Sequence, residues 1–284
     1  MTIHRLLARN IATLCAVATL TACGARSTLE GETGATAAGA SGTGASGTTT
    51  LAPTCAGATP NAYLCDDNET LYVFDPATLT TTSIGQVSCP TSAIPWTMTV
   101  DGAGSAYLIY DDWNVYRVDL ATLVCTQTPY VPGQLGFTGE EGIAVAAVAG
   151  VDRFFVFGAN PAPTLAVSDL TSFVLSAVGP VTPPNGMFPV AIQGDAFGNL
   201  YAFSQESTFF ELASATAGVT HLAQVNLPSG GNWGVMAYGT QVYVFGSGGV
   251  VGLYDPSSQQ LETLGSVGFS VIGASATPCV PPGP

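Results

Sequence analysis

The sequence predicts an all-β domain, a five-bladed β-propeller of four-stranded blades whose first blade is closed by the C-terminal strand. Three observations carry this expectation. From about Cys55 to Cys279, apolar and polar residues alternate over short runs punctuated by Gly, Asp and Pro, without the 3.6-residue period of a helix. A strand-and-turn unit, Leu71-Tyr72-Val73-Phe74-Asp75-Pro76-Ala77-Thr78-Leu79, recurs at 115–123, 165–173 and 251–261. Finally, the domain begins and ends out of phase with that unit, so its two ends must meet inside one blade.

Each unit resolves into strands in order. The innermost is read at 96–100, 141–145, 188–192, 233–237 and 269–273, and the second at 62–64, 106–109, 154–157, 200–203 and 242–245. The third runs into the recurring turn. There Asp75, Asp119, Asp169 and Asp255 can each accept backbone N–H groups two residues on, which makes them turn residues rather than catalytic acids. The copy at 209–213 lacks the Asp. Four short strands repeated at about 40 to 50 residues are the signature of propeller blades. The blades are then 62–88 completed by 269–277, followed by 94–131, 141–181, 188–227 and 232–268, with no sixth repeat visible. Joining the ends in blade one removes the edges that a linear array would expose.

Ahead of this domain the order of segments is that of an export signal: His4, Arg5 and Arg9, an apolar stretch from Ile11 to Leu20, then small residues before a cysteine. Polar Thr13 and Thr19 interrupt a run already short of the roughly 20 apolar residues that a spanning helix needs. Leu20-Thr21-Ala22-Cys23-Gly24 resembles a bacterial lipobox, which implies cleavage before Cys23 and acylation of its thiol and new amino terminus. In lipoproteins of this type Gly24, where inner-membrane retention would use Asp, implies the outer membrane. An ordinary signal peptide with a cysteine at its end is the alternative. Residues 23–54 then form a tether of Gly, Ala, Ser and Thr with too little apolar surface to fold and a reach on the order of 30 Å. The expected organisation is signal peptide 1–22, lipidated linker 23–54, propeller 55–279 and tail 280–284.

Cysteine and charge narrow the rest. With Cys15 leaving in the signal and Cys23 lipidated, Cys55, Cys65, Cys89, Cys125 and Cys279 remain, an odd number. Cys55 and Cys279 bracket the domain where its ends meet; a bridge there closes a loop of more than 200 residues, worth about 4 to 5 kcal/mol in the chain-entropy model. No Cys-x-x-Cys is present and His221 is the only histidine after Cys23, so neither a metal site nor a cofactor is expected. Against 19 Asp and Glu there are 5 basic residues, all Arg, of which only Arg117 and Arg153 fall in the domain. Such a surface repels phosphate backbones and excludes nucleic acid.

The pattern of 71–79, Ile84-Gly85, Cys89-Pro90, Met98-Thr99-Val100-Asp101-Gly102 and 131–137 resembles propeller-like lipoproteins of myxobacteria over about 55–279. Its motifs are turn and strand signatures, so the resemblance implies fold and export and brings no activity with it. It also implies cysteines matched at Cys55, Cys89, Cys125 and Cys279, and thereby a Cys89 to Cys125 bridge. Cys65 departs from that pattern.

Propeller ligands usually meet the face where the innermost strands begin, beside the loops joining second and third strands. Aligning those strands puts Trp96, Glu141, Phe188, Trp233 and Phe269 at one level. Aromatic faces and an acid suit a sugar ring, a peptide or a cation, but such rings also pack narrow channels, and packing takes precedence. The same face should carry Asp66-Asp67-Asn68-Glu69 and Asp111-Asp112-Trp113-Asn114, whose acids read as turn residues before they read as calcium ligands. The leading functional expectation is a non-catalytic envelope module, membrane-bound through Cys23, that engages a protein or glycan through this face. A glycoside hydrolase would need a second acid about 5 to 10 Å from Glu141 and its neighbour Glu140, drawn from Asp67, Asp112 or Glu206. A purely structural envelope lipoprotein is the third possibility.

Overall fold

A computed structural model describes residues 61–182, 189–204, 208–224, 234–255, 258 and 260–279. The signal segment, the linker with Cys23, Cys55, Phe188, Glu206 and Trp233 lie outside the described residues. Among those described, twenty strands form five antiparallel four-stranded sheets. The first blade is β20 (Val271–Ala276), β1 (Ala62–Asp66), β2 (Thr70–Asp75) and β3 (Thr80–Gln86), from inside outward. The second is β4 (Pro95–Val100), β5 (Ser105–Tyr110), β6 (Val115–Asp119) and β7 (Cys125–Gln127). The third is β8 (Glu140–Val148), β9 (Val151–Gly158), β10 (Thr164–Ser168) and β11 (Ser176–Pro180). The fourth is β12 (Pro189–Gly194), β13 (Asn199–Ser204), β14 (Thr208–Ala213) and β15 (Val219–Gln224). The fifth is β16 (Gly234–Tyr238), β17 (Gln241–Phe245), β18 (Val250–Asp255) and β19 (Gln260–Ser266). The propeller therefore has the predicted five blades, with the C-terminal β20 completing the first.

Alternation along each strand feeds two interfaces. In β5, Ala106 and Leu108 join the cluster shared with blade one, while Tyr107 and Ile109 join the cluster shared with blade three. Further clusters fill the three remaining gaps between neighbouring blades. The second strands are thus covered on both faces, while the outer strands β3, β7, β11 and β19 are largely exposed.

The inner strands touch in the order β20, β4, β8, β12, β16 and back to β20, closing the ring. Their open edges are satisfied by hydroxyls of the preceding blade: Val100 N–H donates to Ser275 Oγ at 2.9 Å and Val145 N–H to Thr99 Oγ1 at 2.8 Å. The third blade has Ala144 at this level, and there Gly194 lies so close to Val145 and Ala146 that a Cβ would strike backbone. Thr99, Ala144, Gln193, Met236 and Ser275 are all buried, so the ring is closed to solvent at their level.

The recurring turns behave as the sequence predicts. Asp75 accepts Ala77 N–H at 2.9 Å, Asp119 accepts Ala121 N–H at 3.0 Å and Asp169 accepts Thr171 N–H at 2.8 Å. Four residues past each of the first four turn positions a non-glycine residue sits in the left-handed region: Leu79, Leu123, Phe173 and Ala217. Leu79, Leu123 and Ala217 reach the outer strand of the previous blade, where Gly265, Gly85 and Gly179 leave room for them. A bulge at Leu264, Ile84 and Val178, directly before each of these glycines, turns the strand toward the incoming residue.

A second device fastens three other turns. Asp66, Asp101 and Asp195 are buried, and each carboxylate accepts N–H groups two and four residues on while its second oxygen accepts a tyrosine hydroxyl six residues on. The bonds from Tyr72, Tyr107 and Tyr201 measure 2.9, 2.9 and 3.1 Å.

Cys89 and Cys125 form a disulfide with a Cα separation of 5.0 Å. It ties the connection between blades one and two to the outer strand of blade two. Cys279 is also disulfide-bonded, and its expected partner, Cys55, lies outside the described residues. Cys65 is a free, buried thiol that burial, then the charges of Asp66 and Glu69, push well above the usual cysteine range.

Candidate functional site

The inner strands begin on the face that carries the loops between second and third strands. In four of them the ladder breaks near its start. Pro95 pairs with Tyr110 but Thr97 with Ile109, so Trp96 is left unpaired in a β-bulge. The same break falls at Glu141, Val190 and Ile272. In blade five Gly234 pairs with Phe245 as Thr97 pairs with Ile109, and Trp233 precedes it in sequence.

These registers correct the expected ring. Val190 and Ile272, rather than Phe188 and Phe269, hold the positions equivalent to Trp96 and Glu141. Ile272 is buried between blades one and two. Phe269 sits in the loop before β20 and stacks on Tyr72, ring centroids 4.3 Å apart, as part of the packing between blades five and one. No continuous aromatic collar exists among the described residues.

What the bulge does instead is aim one large side chain outward. Trp96 is 42% exposed, which overturns its expected role as a channel plug. Its ring meets Trp113 edge to face, with centroids 6.5 Å apart and planes at 66°. Trp113 lies in a tight loop closed by its N–H to Tyr110 O at 2.8 Å, with φ at +61°. Blade one repeats this loop with Glu69 at the corresponding place, also at φ +61°, and its N–H donates to Asp66 O at 3.1 Å. Blade five uses Gly249 there. Left-handed backbone costs a bulky residue about 1 to 2 kcal/mol relative to glycine, so Trp113 and Glu69 stand where glycine would be the stable choice.

The acids around this pair are organised by the loops. Asp111 accepts Ile94 N–H at 3.1 Å while its own N–H donates to Ile94 O at 2.9 Å. Asp112 accepts Asn114 N–H at 3.0 Å and the Thr91 hydroxyl at 3.3 Å. Thr91 in turn lines an open cleft of about 380 Å³ with Asp67, Asn68, Glu69, Gln86, Val87, Ser88 and Cys89. The Asn68 amide donates to Asp67 at 3.0 Å and the Gln86 amide donates to Asn68 O at 3.0 Å. Tyr110, fully buried, donates its hydroxyl to Glu69 at 3.2 Å. Burial raises the Glu69 carboxyl above the usual glutamate range, and that hydroxyl partly offsets the rise.

Of the predicted site residues, the structure brings Trp96, Trp113 and Asp112 together and leaves Phe269 elsewhere. The backbone of Glu141 shares the bulge position of Trp96 in the next blade. Glu69 was expected on this face among the acids of 66–69, whereas Tyr110 and Ile94 were not singled out from sequence. Among the described residues, no three His, Cys, Asp or Glu side chains are grouped to hold a metal.

No family model matches the chain, and no curated protein matches it. Solved structures do match. One is a chain of Kuenenia stuttgartiensis hydrazine synthase, 14% identical, with a TM-score of 0.41 over 60% of this chain and 49% of that one. The chain spans about half the length of that hydrazine synthase chain.

Proposed function

We propose that this protein is a lipid-anchored, non-catalytic binding module of the bacterial envelope, probing a protein or glycan partner with the face that carries Trp96 and Trp113. The observation that carries the reading is Trp96, held out of the β-ladder and 42% exposed beside a second tryptophan and an acidic cleft. A side chain of this size is ordinarily used for packing, and paired exposed aromatics flanked by polar groups are the usual means of gripping a sugar face or a peptide. The loop acids that hydrolysis would draw on are engaged in turns: Asp112 with Asn114 and Thr91, Asp67 with Asn68. The chain enters β1 beside Asn61, whose carbonyl accepts Thr277 N–H, at the end of the blade opposite the Trp113 loop.

Two arms of one experiment test this. In cell fractionation, the wild-type chain is expected with the membranes and Cys23→Ser with the soluble fraction, because a thioether cannot form on serine. In the second arm, full-length protein is titrated with solubilised envelope components. Trp113→Gly, which removes the ring and suits the left-handed loop position, is expected to lose the saturable binding of the wild type while keeping its fold. Membrane association unchanged by Cys23→Ser, or binding unchanged by Trp113→Gly, would overturn the corresponding half of the proposal.

A further inference from the structure

The chemistry of the exposed face narrows the partner. Ile94 is 65% exposed and Trp96 42%. Trp96 meets Trp113 edge to face, and Trp113 packs on the buried cluster between blades two and three. Their polar neighbours are Asp67, Glu69, Asp111 and Asp112, and in the cleft beside them the Asn68 and Gln86 amides already donate to Asp67 and to Asn68 O. Among the described residues no compensating cation lies beside this face. The only basic side chains of the domain, Arg117 and Arg153, belong to the other end of their sheets: Arg117 bonds Ser105 at the start of β5, and Arg153 follows the β8 to β9 hairpin. The ligand should therefore supply both hydrogen-bond donors and positive charge, together with flat or aliphatic surface to lie on indole rings. Arginine meets all of these requirements, since its guanidinium stacks on aromatic faces while donating to carboxylates, and the stems of Arg and Lys cover apolar surface.

We infer that the Trp96 and Trp113 face docks a basic polypeptide segment, with Arg or Lys side chains stacked on the indoles and paired with the rim of Asp111, Asp112, Asp67 and Glu69. This deepens the proposed binding role and rests on it. Charge complementarity selects the occupant: a phosphorylated or uronic-acid ligand would meet only like charge here, and a neutral saccharide would leave the carboxylates uncompensated.

The test titrates full-length protein with three probes, hexa-arginine, hexaglutamate and chitohexaose. Hexa-arginine is expected to bind, to weaken as salt rises, and to weaken about three- to tenfold on either Trp96→Ala or Asp112→Asn, the range of an exposed to partly desolvated cation-π contact. Phe197→Ala, a control exposed on the opposite face, is expected to bind as the wild type does. Hexaglutamate and chitohexaose are expected not to bind. Hexa-arginine binding that is indifferent to Trp96→Ala would reflect diffuse charge and overturn the inference. So would the absence of any hexa-arginine binding. Chitohexaose binding that Trp96→Ala abolishes would overturn the basic-partner inference while leaving the binding-face proposal standing.

Discussion

Asp169 collects three hydrogen bonds at its turn, from the Ser172 hydroxyl at 2.6 Å, Ser172 N–H at 2.7 Å and Thr171 N–H at 2.8 Å. These donors favour the charged carboxylate and hold it down at about 2, the Ser172 hydroxyl contributing most. Asp75 and Asp119 are lowered by the same arrangement, led by the Thr78 hydroxyl and the Thr122 N–H respectively. A carboxyl with a folded pKa below its unfolded value of about 3.9 adds stability that is complete above that value and lost as pH falls through about 2. Asp152 acts with the opposite sign, because burial raises it and protonation then relieves the fold. The expected outcome for Asp169→Asn is lower stability than wild type at pH 5 and a smaller further loss between pH 4 and pH 2. Urea midpoints across that range check it; parallel pH profiles would refute the turn as the cause. At this scale much was legible. The turn role of Asp75, Asp119, Asp169 and Asp255 followed from repetition of one short pattern. The buried latches of Asp66, Asp101 and Asp195 were not singled out, because a partner six residues away in the next strand becomes a contact only once the hairpin forms.

Strands and blades were legible because alternation, turn residues and the repeat all agree, and the out-of-phase ends correctly paired β20 with β1. Register at the inner-strand starts was not. Aligning aromatics placed Phe188 and Phe269 beside Trp96, whereas backbone pairing puts Val190 and Ile272 there, two and three residues further on, because matching residue type from blade to blade does not fix backbone register. The close approach of inner strands was hidden too, since nothing in the hydrophobic pattern marks Gly194 as the space that the structure gives to Val145 and Ala146. Gly194→Ala is therefore expected to cost about 1 to 3 kcal/mol or more by forcing blades three and four apart. Equilibrium denaturation measures this directly. A loss under about 0.5 kcal/mol would mean that the ring has slack at this point.

On the scale of the whole molecule, the proposed binding role needs the domain's entry and the Trp96 face at different ends of the ring. Apolar clusters between blades hold the ring, β20 closes it, and the domain's entry lies across the molecule from the Trp113 loop. Among the described residues, exposed Ile94 and Trp96 of blade two lie next to the acidic cleft at the boundary with blade one. Whether Trp96 belongs to that surface or to the core decides how the face works, and the cost of removing its ring reports on the difference. The most direct measurement is the unfolding free energy of Trp96→Ala in the full-length chain. A side chain 42% exposed on a bulge predicts a loss below about 2 kcal/mol with the fold retained. A loss of about 3 to 5 kcal/mol, as for truncation of a buried aromatic, would contradict it and return Trp96 to the core.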